Sequence, residues 1–294
     1  MKVLLTGASG QLGQALIASC PTGVDLLALR RQDLDLSDAH ACQQAVVQHR
    51  PDWLLNAGAY TAVDRAESEP ELAHTVNAEA PQAFAEALAD QGGRLLQIST
   101  DFVFSGQQGF PYRPDQATQP LGVYGATKAA GEEAALRLPG AIVLRTSWVY
   151  GPVGGNFCRT MLRLMGEREQ LGVVADQVGC PTSTATLAQA CWAVLHAHDP
   201  LPSVLHWSDA GAASWYDFAV AIAELGKAAG LLENPARIKP ITTADYPTPA
   251  QRPSYSLLDC TATRALLDLE PVHWRSALDQ VLRRIASLDS SPVH

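Results

Sequence analysis

Short apolar runs recur along the first half of the chain, each followed by a polar or small-residue stretch and then by apolar positions at helical spacing. Val3-Leu4-Leu5, Leu26-Leu27-Ala28-Leu29, Trp53-Leu54-Leu55-Asn56, Arg94 to Ser99 and Ala141 to Thr146 read as buried strands. Helical spacing follows from Leu12 through Leu16 and Ile17, over about 39–50, over about 71–91, and from Tyr124 through Ala129, Glu132 and Leu136. Pro81 marks a start or break in the third of these, because proline is not tolerated mid-helix. Alternating strands and helices predict an α/β fold with a doubly wound parallel sheet. Beyond residue 150 the alternation loosens. Helical stretches remain near 157–166, 186–198 and 215–229, with a strand at Leu171 to Val174, a loop from Asp176 to Thr182 and a tail, 287–294, that reads as frayed.

The first strand runs straight into Thr6-Gly7-Ala8-Ser9-Gly10-Gln11-Leu12-Gly13. Glycines at this spacing allow a sharp turn, close approach to a pyrophosphate and tight packing of helix on strand, so that N–H groups at the helix start face phosphates. An ordinary Gly-rich turn fits the motif taken alone; the strand before it and the helix after it favour a dinucleotide. The second strand ends at Arg30-Arg31, where the adenosine ribose of a dinucleotide would lie. Arginine there pairs with a 2′-phosphate and points to NADPH, with NADH possible, although solvated arginines also end strands. Asp35 and Leu36 are placed to edge the adenine, and the small residues Ala57, Gly58 and Ala59 let the chain pass close to the cofactor. The fold expected is therefore Rossmann-like. It has a dinucleotide-binding domain over 1–150, to which 171–200 returns, and a smaller, lid-like, mainly substrate-binding domain over 151–294. Trp207, Trp215 and Tyr216 are expected to pack the small core of that lid.

Ser99-Thr100-Asp101 falls at the carboxyl end of the fourth strand, the edge at which doubly wound sheets hold ligands. Tyr124 and Lys128, four apart, share one helix face. A lysine ammonium near a phenol lowers the phenol's pKa, and a Ser or Thr hydroxyl can hold a carbonyl oxygen while the phenol gives it a proton. That set suits reduction of a carbonyl by hydride. Each piece has a plainer alternative, strand-end capping for the first and a surface helix pair for the second.

Charge and composition narrow the partners. The net charge is −9 and the pI about 5.3, with no run of Lys and Arg, which argues against nucleic acid and against a polybasic membrane surface. No segment has the ~20 apolar residues of a membrane span, and the start lacks a leader pattern. The six cysteines form no Cys-x-x-Cys pair, as expected of reduced thiols in a cytoplasmic protein. His196, His198 and His206 lack a carboxylate or cysteine at ligand spacing, so no metal is expected.

Thr6-Gly-x-x-Gly-x-x-Gly13, Asn56-Ala57-Gly58, Ser99-Thr100-Asp101 and Tyr124-x-x-x-Lys128 resemble, in order and spacing, the extended short-chain dehydrogenase/reductases. Further stretches extend the resemblance over nearly the whole chain: Thr61 to Asp64 with Ala66-Glu67, Asp101 to Phe104, Arg145 to Tyr150, Asn156-Phe157, Asp176-Gln177 with Pro181-Thr182, and Tyr246 to Ala250 with Arg252-Pro253. The resemblance implies reduction by NADPH of the 4-keto group of dTDP-4-dehydro-6-deoxy-L-mannose, giving dTDP-L-rhamnose. It implies that Tyr124 is the proton donor, Lys128 its partner and ribose clamp, and Thr100 the ligand of the keto oxygen. By the same resemblance Val63, Asp101, Phe102, Val103 and Trp148 surround the sugar and base, and Asn156 and Arg252 meet the nucleotide and its diphosphate. Some family members pair through a magnesium ion held by acidic residues; here Gln14-Ala15 and Ala185-Thr186 stand at those places. Magnesium is therefore doubtful, and a monomer or a dimer that magnesium does not bridge is expected. Gly58, where alanine is commoner in the family, is expected to be harmless. Two other readings stay open: a nucleotide-sugar epimerase or dehydratase of the same superfamily, and a non-catalytic regulatory subunit of the kind that partners methionine adenosyltransferase.

Overall fold

The computed structural model of the chain describes residues 1–289. Its centre is a parallel six-stranded sheet formed by β1 (Lys2–Thr6), β2 (Asp25–Ala28), β3 (Trp53–Asn56), β4 (Arg94–Thr100), β5 (Ile142–Thr146) and a further strand, Val204–His206. The spatial order is β2-β1-β3-β4-β5 and then Val204–His206. From β1 the chain goes to one side to make β2 and to the other to make β3, so the loops leaving the carboxyl ends of β1 and β3 diverge and open a crevice. Register places Thr6 beside Asn56, Asn56 beside Gln97 and Thr100 beside Thr146, which brings the polar strand ends to one edge.

Helices cover both faces, which is why the strands are apolar throughout rather than alternating. On one face α1 (Gln11–Ala18) and the helix Thr184–His196 pack Leu12, Leu16, Leu187 and Trp192 against Val3, Leu5, Leu96 and Leu144. On the other, α2 (Ala39–His49) and the helix Ala80–Gln91 pack Cys42, Val46, Phe84 and Leu88 against Leu4, Leu54 and Leu95. The long helix expected over about 71–91 has three parts: Pro70–His74, a π-helical turn Thr75–Glu79, and Ala80–Gln91. Pro81 opens the last part. The helix Val123–Ala135 lies directly on the π turn, with a hypothetical Cβ on Gly131 only 1.9 Å from the Asn77 carbonyl oxygen.

The later half builds a second core from the helices Phe157–Glu167, Trp215–Ala228 and Trp274–Asp289 and the parallel strand pair Gln170–Val174 and Arg237–Ile241. Tyr150, Cys158, Met165, Phe218, Ile222, Leu278 and Leu282 fill it. The segment 171–200 is divided. Its strand pairs with Arg237–Ile241 in the second core, while its helix packs back on α1. Trp207 also departs from expectation, joining the core of the main sheet through its neighbour strand Val204–His206. A strand that short carries too few residues for a period to show. Residues 287–289 of the tail sit in the last helix; the rest, 290–294, lies outside the described residues. All six cysteines are free thiols. No helix of the described residues is long and apolar enough to cross a membrane.

Candidate active site

The loop between β1 and α1 is shaped by two glycines. Gly7 has φ +67° and lies against Gly58, while a Cβ on Gly13 would fall 2.2 Å from the Gly7 carbonyl oxygen. Gly10, at the N-cap of α1, has no side chain to satisfy the first-turn N–H groups, so these are offered to an anion. From β3, Gly58 N donates to Thr6 Oγ1 at 3.2 Å, and Thr6 in turn donates to Asn56, which donates to Gln97 at 2.7 Å. This buried chain locks the two diverging loops together. A methyl on Gly58 would press on the flexible tip of Leu36. Arg30 and Arg31 are exposed beyond β2. Asp35 is also exposed, and its carboxylate is held below the usual range by the Ser37 backbone N–H and hydroxyl. Ser9 O accepts from Gln14 Nε2 at 2.9 Å. The cradle thus fits a dinucleotide: a positive-φ turn, an uncapped helix start and exposed cations at the second strand end.

At the end of β4, Thr100 Oγ1 accepts from Phe102 N at 3.2 Å and lies 3.1 Å from Asp101 Oδ1. Asp101 is buried, with Oδ2 unpartnered among the described residues, and burial pushes its carboxyl up to about 6. Tyr124 stands across from Thr100 with its ring edge-on to Phe102, centroids 5.5 Å apart. Lys128 Nζ donates to Ile98 O at 2.7 Å. Burial pushes the Tyr124 phenol up to about 12, with the Thr100 hydroxyl opposing and Asp101 adding; burial brings Lys128 down to about 8, with Glu132 opposing. The expected lowering of the phenol is therefore not what the protein itself does. The ammonium is directed at a backbone carbonyl, and the phenol meets apolar ring and carboxyl rather than a cation.

Behind Lys128 lies an ion pair that the sequence reading passed over. Glu132, one turn further along the same helix face, accepts from Arg145 Nη2 at 2.6 Å and from Ser99 Oγ at 2.5 Å. Arg145 also reaches Pro114 O and His206 Nε2, and His206 Nδ1 faces Tyr112 O at 3.0 Å. His206 is thus part of this buried network, while His196 bonds Trp192 O within its own helix. No group of His, Cys, Asp and Glu that could hold a metal occurs among the described residues. Two further residues hold the catalytic elements. Glu67 Oε1 accepts from Val123 N at 2.9 Å and so caps the helix carrying Tyr124. Asn77, in the π turn, accepts from Tyr60 N and donates to Tyr60 O and Thr127 Oγ1, joining the loop after β3 to that helix. A Glu at i+4 from Lys128 was a visible signal; the other partners are distant in sequence.

The residues expected around the substrate divide. Phe102, Val63 and Trp148 are half-buried and able to present surface. Trp148 has φ +46° and stacks on Trp215 with centroids 3.5 Å apart. Val103 is fully buried against the core of Phe104, Tyr112 and Leu258. Asp101 is 2 % exposed and bonded to Thr100. Asn156 has its amide engaged: Nδ2 donates to Gln11 Oε1 at 2.8 Å and to Gly151 O, and Oδ1 accepts from Arg159 N. It fastens Gln11 of the cradle to the second core. Arg252 forms a two-pronged pair with Asp64, Nη2 to Oδ2 at 2.8 Å, which holds that carboxyl below the usual range.

Comparison with known proteins agrees with this architecture. Residues 1–287 match the family described as RmlD substrate binding domain. A dTDP-4-dehydrorhamnose reductase of Streptomyces griseus is 42% identical over 297 residues, covering 99% of this chain and 96% of its own. A probable dTDP-4,6-dihydroxy-2-methyloxan-3-one 4-ketoreductase of Streptomyces antibioticus is 40% identical over 296 residues, covering 99% and 98%. The crystal structure of dTDP-4-dehydrorhamnose reductase from Bacillus anthracis in complex with NADP superposes with a TM-score of 0.89 at 34% identity, covering 96% of this chain and 99% of that one. With the family matched from the phosphate cradle to the last helix, the chain belongs to the RmlD substrate binding domain family, that of the dTDP-4-dehydrorhamnose reductases.

Proposed function

We propose that the chain reduces the 4-keto group of dTDP-4-dehydro-6-deoxy-L-mannose with NADPH to give dTDP-L-rhamnose, the last step of dTDP-rhamnose synthesis. The observation that carries this is the convergence of Thr100, Tyr124 and Lys128 on the strand edge beside the glycine cradle, in a chain whose family matches from end to end. When bound, NADPH supplies the hydride that reaches the carbonyl carbon. Gly7, Ser9, Gly10, Gln11, Leu12 and Gly13 hold its pyrophosphate, Arg30 and Arg31 its 2′-phosphate, and Leu36 with Ala57 to Ala59 its adenosine side.

Thr100 orients the keto oxygen by hydrogen bond, and Tyr124 donates the proton that neutralises it. A phenol held at about 12 is fully protonated near neutrality, yet is still a stronger acid than the alcohol that protonation of the alkoxide gives. Lys128 stands one turn behind, where its charge steadies the phenolate left after transfer. Phe102, Val63 and Trp148 border the sugar and base, and Arg252, steered by Asp64, faces the diphosphate. The substrate is a small nucleotide sugar. The protein works in the cytoplasm, as a monomer or as a dimer that magnesium does not bridge: Ala15 and Ala185 carry no side-chain oxygen, and the Thr186 hydroxyl is given to Asp209 at 2.5 Å.

The relative from Streptomyces antibioticus supports a second reading, in which the 4-keto group belongs to a different dTDP-bound deoxysugar. Spectrophotometric oxidation of NADPH decides both questions. It is expected only when the 4-keto dTDP sugar is added, and Tyr124→Phe should lose at least about a hundredfold in kcat while still binding NADPH. No oxidation by the folded protein, or a Tyr124→Phe variant as active as the parent, would overturn the assignment; a higher kcat/KM for another dTDP-4-keto sugar would move the substrate.

A further inference from the structure

We propose that Asp101 is a positioning residue that sets the direction of the single hydroxyl hydrogen of Thr100, freeing it for the substrate oxygen when Asp101 is protonated and capturing it when Asp101 is ionised. The inference rests on the reading that Thr100 holds the keto oxygen and goes beyond it.

A threonine hydroxyl has one hydrogen and two lone pairs. One lone pair of Thr100 is taken by the Phe102 N–H at 3.2 Å. The contact to Asp101 Oδ1 at 3.1 Å then uses either the second lone pair or the hydrogen. A carboxylate only accepts, so an ionised Asp101 claims the hydrogen and leaves Thr100 with none for a ligand. A carboxylic acid donates, so a protonated Asp101 occupies the second lone pair and releases the hydrogen toward the space between Thr100 and Tyr124. Only in the second arrangement can Thr100 donate to a keto oxygen when it arrives.

The surroundings of Asp101 favour the acid form. The side chain is 2 % exposed, and Oδ2 has no partner among the described residues. The groups that face it are Thr100 at the end of β4, Tyr124 from the helix Val123–Ala135 and Ser256 from the C-terminal segment, none of them a cation; hydrogen bonds from Ser256, Thr100 and the backbone N–H of Asp101 and Phe102 favour the ionised form, and burial outweighs them. Lys128, the nearest cation of the cluster in sequence, directs its ammonium to Ile98 O instead. Burial accordingly holds the carboxyl at about 6 rather than near 4. An ionised Asp101 also raises the phenol, so the same proton favours both partners of the substrate oxygen. Asp101 gains and loses no proton in the reaction itself; the proton delivered to the product comes from Tyr124.

The test is the pH dependence of kcat/KM with NADPH and the 4-keto dTDP sugar, for the parent and for Asp101→Asn. The active form is the protonated one, so the parent should lose activity as pH rises through about 6 or somewhat above, by roughly a hundredfold over the limb, the usual effect of one lost donor. Asp101→Asn cannot titrate; its profile should stay level through that range and fall only near 8, where Lys128 loses its proton. A variant that keeps the parent's limb, or a parent that is flat between about pH 5 and about pH 7.5, would overturn the proposal. If Asp101→Asn does not fold, carbon-13 NMR of aspartate-labelled parent protein replaces it. Two buried carboxyls, Asp101 and Asp209, should titrate near 6, and one of them should shift in Thr100→Val; if neither is affected by that change, the coupling is contradicted. Failure of the underlying reading, that Thr100 holds the keto oxygen, is seen separately, as retained activity in Thr100→Val.

Discussion

Glu132 and Arg145 meet across the seam between the catalytic helix and β5, Arg145 Nη2 2.6 Å and Nε 3.1 Å from Glu132 Oε2, with side chains 3% and 5% exposed. The pair draws in Ser99 on one side and His206 on the other, so it ties together the elements that carry Thr100 and Lys128. Desolvating two charges costs several kcal/mol, which the pair repays only as a pair. Glu132→Ala should therefore lower stability by about 3–5 kcal/mol, because Arg145 is left buried and uncompensated. It should also bring the Lys128 pKa further down, since Glu132 is what opposes burial there. Urea denaturation with and without the change measures the first effect; a loss under about 1 kcal/mol would show that water or another group replaces the carboxylate.

Two glycine substitutions should behave in opposite ways. Gly13→Ala places a methyl 2.2 Å from the Gly7 carbonyl oxygen and 2.8 Å from the Ala8 Cα, both backbone atoms that cannot step aside. It should cost about 1–3 kcal/mol and abolish NADPH binding as followed by cofactor fluorescence. Gly166→Ala, in the last turn of Phe157–Glu167 with open space around the new Cβ, should gain up to about 1 kcal/mol from helix propensity.

The choice of cofactor is testable at the end of β2. Arg30→Ala should reduce kcat/KM for NADPH relative to NADH by about tenfold or more, the worth of a hydrogen bond to a charged group. A ratio that does not move would transfer the role to Arg31 or remove it from both.

His206 makes stability depend on pH. Burial first, and then Arg145, hold its pKa at about 3, so the folded protein keeps it neutral while the unfolded chain protonates it near 6.5. Below that value the unfolded state binds the extra proton, and stability contributed by the neutral form is lost as pH falls from about 6.5 toward about 3. Asp101 and Asp209, both raised to about 6, work the other way, losing stability as pH rises through that value. Comparison with His206→Asn isolates the histidine: the parent should lose about 1.4 kcal/mol per pH unit relative to the variant between pH ~6 and ~4. Parallel stability curves for the two proteins would refute this.

Much of the molecule is written in local periodicity. The apolar runs locate β1 to β5, the glycine spacing locates the cradle, and the four-residue interval between Tyr124 and Lys128 places both on one helix face, because each of these depends on neighbours within a turn or a strand. Other features depend on residues brought together from far apart, and there the sequence is silent. Asp64 meets Arg252, Glu67 caps the helix that begins at Val123, Asn77 grips the loop at Tyr60 through a π turn, and Asn156 fastens Gln11. The short strand Val204–His206 exists only because β5 is there to pair with it. The pKa values of the site have the same origin: Tyr124 and Lys128 are moved by burial, which a helix face alone does not fix. The sequence by itself determined which residues could perform the chemistry; tertiary packing decided how far burial moves their pKa values and which distant partners they meet, because desolvation and cross-chain hydrogen bonds arise only when distant segments close on one another.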